Sequence, residues 1–202
     1  MRNRFIAGCL VLLAVEGALA DAPPEPKPSA SPWSAWAHTR PLSPGAIELL
    51  AVAAQRSAIV ASLLEDIERS DLVVYLNDSM PGVFTGPKST MVFLSGDSST
   101  RYLLIRVDSM RLPLPERISS LGHELQHALE VAGAPEVKSA TDMAQLYRRI
   151  GWETTKGRFE SRDAQAVAHR ITKQLGQKDK TQRVASVDEA PRSTQTGGPS
   201  QH

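Results

Sequence analysis

Two histidines four residues apart, His123 and His127, with Glu124 directly after the first, constrain the fold of this chain more than any other feature. The spacing has meaning only on an α-helix, where about 3.6 residues per turn stack positions i and i+4 on one face. The flanking residues supply such a helix. Pro115 suits a first helical position, Glu116 falls in the first turn where the helix dipole favours a carboxylate, and Gly133 followed by Pro135 marks the stop. A helix is therefore expected over residues 115–132. Within it Ile118, Leu121, Leu125, Ala128 or Leu129, and Ala132 recur at helical spacing and give an apolar stripe for the core. His123, His127 and Glu130 form a second stripe beside it.

The pentapeptide His123-Glu124-Leu125-Gln126-His127 has the H-E-x-x-H pattern of zinc hydrolases. Two neutral imidazoles one turn apart can hold a single Zn²⁺ at about 2.0–2.1 Å, and the residue after the first histidine projects towards the open side of the ion. Glu124 is thereby placed as a general base. A catalytic zinc takes a third protein ligand and keeps its fourth position for water. Glu130 is on the same helix, where three ligands would spread over about 10 Å of axis, too far for one ion. It is expected to support a ligand or to face solvent. Glu136 follows the helix stop with nothing to fix it, and Glu153 sits in a polar connection, residues 152–157. Glu160 heads a helical stripe with Ala164, Val167, Ile171 and Leu175, and a carboxylate on a core-facing stripe needs a cation to meet it. Glu160 is the expected third ligand, with Glu153 the runner-up. Asp163 is either the acceptor that orients a ligating histidine through its other ring N–H or a solvated helix charge. His169 would point away from Glu160, and His38 and His202 lie in segments that read as flexible.

Upstream, Leu72–Leu76 is a β-prone run closed by Asn77-Asp78 and Pro81-Gly82, and Thr90–Leu94 is a second. After a turn at Gly96-Asp97, residues 101–107 alternate, Leu103, Ile105 and Val107 one way and Tyr102, Leu104 and Arg106 the other. This half-polar run is expected to be an edge strand directly before the histidine helix, open either to an extended peptide or simply covering a helix. Ser43-Pro44 opens a long apolar helix through about Glu68, and Ser139 caps another that ends at Gly151. Tyr147 on the latter is either a core tyrosine or an oxyanion donor.

An apolar helix, a short sheet, an H-E-x-x-H helix and a later helix bearing a glutamate, in that order, resemble the zincin metallopeptidases. The glutamate makes the likeness closer to the gluzincin type, and the His-Glu-Leu-Gln-His core is similar to that of small bacterial zincin-like proteins. The resemblance spans residues 43–176, its specific part being 123–127. It implies an α+β zincin-like domain, a short mixed sheet packed on helices, with the H-E-x-x-H stretch on a central helix after an edge strand. It implies His123 and His127 as ligands of one zinc ion, Glu124 as general base, and Glu160 as the matching downstream ligand, at a longer interval than in thermolysin-like enzymes. The implied activity is peptide-bond hydrolysis; the alternative is a catalytically inactive zincin-like domain acting as a binding or structural module.

Arg2 and Arg4, the apolar run Phe5–Val15 and Ala18-Leu19-Ala20 form an export signal over residues 1–20, with membrane anchoring through this segment as the alternative. Residues 21–42, rich in Pro, Ala and Ser, read as a flexible linker, 43–176 as one domain, and 177–202 as a disordered tail. The expected location is periplasmic or secreted, without stable membrane insertion after cleavage. A net charge of +1 gives no electrostatic reason to expect nucleic acid. The expected partner is a peptide or protein substrate, and the expected state a monomer.

Overall fold

Alternation in three β-prone runs builds the sheet on which the molecule rests. The computed structural model describes residues 36–78 and 88–188, the stretch 178–188 by backbone alone. Strand β1 (Thr39–Pro41) lies parallel to β2 (Leu72–Asn77), which lies parallel to β4 (Arg101–Val107). Strand β3 (Ser89–Gly96) runs antiparallel to β4 and ends the order β1-β2-β4-β3. Leu72, Val74 and Leu76 of β2 and Leu103, Ile105 and Val107 of β4 are fully buried on one face and join the helices in a single core. On the other face Tyr75 stacks on Tyr102, with ring centroids 6.5 Å apart.

The edge strand beside the histidine helix is thus β3, and the expectation for residues 101–107 is corrected. Polar residues misled because Arg101 and Tyr102 have partners within the fold. Arg101, 1% exposed, donates to the carbonyls of Val131 (2.7 Å) and Ala134 (2.8 Å) and pairs with Asp71 (2.6 Å). It clamps the start of β4 to the last turn of the histidine helix, where a cation meets free carbonyls. The Arg101 guanidinium in turn holds the Asp71 carboxyl below its ordinary range.

The long helix expected through Glu68 is two helices, α1 (Pro44–Arg56) and α2 (Ala58–Glu68), bent by 115°. Ser57 makes the break. Its extended backbone (φ −129°, ψ 111°) ends α1, and its hydroxyl accepts the Val60 N–H to cap α2. The bend resets the helical phase, so the buried faces are Leu49, Leu50 and Ala53, then Val60, Leu63, Leu64 and Ile67.

Two domain limits also move. Residues 39–41, assigned to the linker, are paired in the sheet, and the Glu68 carboxylate accepts the N–H groups of Ala37, His38 and Thr39. Trp36 packs against the core, whereas Trp33 and the export signal expected over residues 1–20 lie outside the described residues. At the other end, helix α5 (Arg162–Asp188) continues past residue 177, because 177–188 contain neither glycine nor proline to stop it.

Helix α3 (Leu114–Ala132) follows β4 and packs on α2 and α5. Ile118, Leu121, Leu125 and Ala128 are fully buried, as their spacing requires. Each of the three larger side chains contributes about 1.5–3 kcal/mol through burial. Helix α4 (Ala140–Ile150) carries the expected cap, Ser139 Oγ accepting the Asp142 N–H. It leads into a hairpin, β5 (Gly151–Thr155) and β6 (Arg158–Ser161), that turns at Gly157 with φ +74°. The architecture of the described residues is α+β, five helices with a mixed four-stranded sheet and this small hairpin.

Candidate metal centre

Helix α3 presents both histidines on one face, their rings 4.7 Å apart and nearly perpendicular. Glu160 reaches them from the hairpin. Its Oε1 lies 3.3 Å from His123 Nε2 and 3.4 Å from His127 Nε2. All three ligating atoms are within 4.8 Å of one another. Around a tetrahedral ion with donors at about 2.0–2.1 Å, neighbouring donors stand about 3.3–3.4 Å apart. Both histidine–glutamate separations have that length, so this His-His-Glu group can hold a metal ion.

Glu160 arrives by a route different from the one the sequence suggests. It belongs to strand β6, and the stripe Ala164, Val167, Ile171 and Leu175 begins only after it, on α5, where all four are buried. A strand side chain two residues before the helix can aim at α3 while the helix packs against it. Glu153 is not at the centre. Trp152 is the residue opposite Glu160 in the hairpin, so Glu153 points the other way, exposed, and its Oε1 accepts the Gly157 N–H at 2.6 Å. Asp163 is exposed in the first turn of α5 and does not orient a histidine.

That part belongs to Glu130. Its Oε2 lies 2.8 Å from His127 Nδ1, and its Oε1 accepts the Ser161 hydroxyl at 2.5 Å. A carboxylate only accepts, so Nδ1 donates to Glu130, which leaves Nε2, the nitrogen facing Glu160, as the one a metal ion could take. Ser161 Oγ accepts the Ala164 N–H and caps α5, while the Ser161 N–H donates to Glu160 Oε1 at 2.9 Å. A single buried network therefore joins His127 on α3 to the strand that carries Glu160. Ser161 escaped sequence reasoning; its one visible signal was a serine two residues before Asp163, an N-cap pattern.

Glu124 is buried at the floor of the site. Burial raises its pKa above the ordinary carboxylate value, against the opposing pull of His127, a hydrogen bond from Ser89 and His123. For His127 burial acts downwards, but hydrogen bonds to Glu130 and Glu160 and the Glu124 charge prevail and push its pKa up to about 9. Burial acts upwards on Glu160, and the histidines outweigh it and hold the carboxyl below its usual range. Tyr147 is a core residue, 4% exposed, whose hydroxyl donates to the His127 carbonyl at 2.9 Å.

These groups line a cleft of ≈ 690 Å³ between Ser89–Val92 of β3 and the hairpin residues Thr154, Thr155, Arg158 and Phe159. No protein family, curated protein or solved structure matches this chain. Fold and site together define a class, an α+β domain with a His-His-Glu metal-binding group on a helix and a neighbouring hairpin.

Proposed function

We propose that this protein is an exported zinc-dependent hydrolase of the zincin type, most simply a metallopeptidase. The observation that supports it best is the pair of 3.3 and 3.4 Å separations of one Glu160 oxygen from the two histidine Nε2 atoms. His123, His127 and Glu160 would hold the ion, and two imidazoles with a carboxylate are a donor set suited to zinc with an open position. Bound there, zinc would polarise a scissile carbonyl and make water acidic enough to attack near neutral pH.

The chain's own groups supply the rest. Glu124, with its pKa raised by burial, takes the proton of the attacking water and hands it to the leaving amine. The outer edge of β3 has no strand partner among the described residues, so its main chain is free to pair with an extended peptide along the cleft. Export rests on the signal pattern of residues 1–20.

Glu124→Gln tests the reading. Peptidase activity should fall by about 10²–10⁴-fold while zinc content and thermal stability stay near those of wild type. A wild type that binds one zinc yet cleaves nothing in a diverse peptide library would instead identify an inactive binding module.

A further inference from the structure

Outside the metal centre every charged residue lining the cleft, among the described residues, is a cation: Lys88 and Arg106 on the sheet side and Arg158 on the hairpin side. The whole chain has 23 basic and 22 acidic residues, so this bias is local. Lys88 is partly neutralised by Glu116 at 2.8 Å, both side chains being at least half exposed. Arg106 and Arg158 have no carboxylate partner among the described residues. Residues 79–87, immediately before Lys88, contribute no charged side chain.

Resting on the peptidase reading, we propose that the cleft selects peptides with acidic side chains close to the scissile bond. Thr90 stands opposite Arg106 in the β3–β4 register, so both side chains leave the sheet on the same face. A peptide strand added beyond β3 would lie two strand spacings, about 9.6 Å, from β4. Thr90 is short, and a long arginine can lie across it towards the side chain of the added strand. Arg106 lines the cleft despite belonging to the second strand in, which is the placement this requires. Arg158 offers the same charge from the opposite wall. Cations concentrated in a cleft with apolar walls focus their field on what enters. Met91, Val92, Met143 and Phe159 supply those walls.

The test uses three peptides differing only in Glu, Gln or Lys beside the cleaved bond, with cleavage by zinc-loaded wild type and anisotropy binding to zinc-loaded Glu124→Gln. The expected order is Glu above Gln above Lys in both readouts. The Glu-to-Gln ratio should be about fivefold to tenfold, shrink as salt is raised from 20 to 200 mM, and approach unity in Arg106→Gln/Arg158→Gln. Cleavage of all three peptides at equal rates overturns the selectivity and leaves the peptidase reading standing. Preferential binding of the Glu peptide without cleavage of any peptide supports the selectivity and overturns the peptidase reading. Equal binding without cleavage overturns both.

Discussion

Glu130 serves two elements at once, fixing the His127 ring on α3 and holding Ser161 at the junction of β6 and α5. Glu130→Ala should therefore weaken zinc affinity by about 10–100-fold, measured by chelator competition, although Glu130 donates nothing to the ion. An unchanged affinity would reduce the network to packing. The charge of His127 gives a pH prediction. Its folded pKa of about 9 stands above the ordinary 6.5, so in the chelated protein this group's stabilisation is complete below about pH 6.5 and is lost as pH rises through about 9. Glu124, with its raised pKa, acts in the same sense. Zinc requires the unprotonated ring, so the gap in denaturation midpoint between zinc-loaded and chelated protein should widen from pH 6 to pH 9.5. At this scale the histidines and Glu124 were legible because their geometry is set within one helical turn. Glu160 was singled out by an inexact argument: buried charge flagged it on a helical stripe, whereas it stands on a strand, from which it reaches both histidines. Ser161 was not legible as a site residue, since it meets Glu130 only through tertiary packing.

Hairpin and helix ends set the reach of those side chains. Gly151 pairs with Ser161, and a Cβ there would collide with the main chain of Glu160. Gly151→Ala should cost about 1–3 kcal/mol and lower zinc affinity at least tenfold by displacing Glu160. Gly176→Ala on α5, where a Cβ would meet nothing, is the control and should leave zinc affinity unchanged. Affinity that survives Gly151→Ala would mean that the hairpin tolerates the shift. Helices α3 and α4 were readable from their caps and stripes. The α1–α2 break was not, because Ser57 reads as an ordinary helix residue until its hydroxyl is seen bonding Gln174 on α5 at 2.7 Å. The polar run 152–157 concealed β5 for a similar reason. Strand β5 is exposed at four of its five residues, so it lacks the alternation that marks a half-buried strand.

Across the molecule, strand order was the least legible property. Neighbouring β3 and β4 share a turn that local residues announce, but the parallel pairing of β2 with β4 joins segments whose affinity for each other appears only in the packed core. The same long reach governs the metal centre, where His127 and Glu160 come from separate parts of the chain, with α4 between them. Cys9 is the only cysteine, so no disulfide can fasten one part of this chain to another. An ion shared by α3 and β6 would be a cross-link of another kind, one that lets go when the chain unfolds. Its strength would follow supply: above the dissociation constant, each tenfold rise in free zinc should add about 1.4 kcal/mol to unfolding stability. A denaturation midpoint that stays flat across that titration would refute it. Such a protein would be sturdy where zinc is plentiful and would loosen where zinc is withheld, its stability reporting on the metal content of its surroundings.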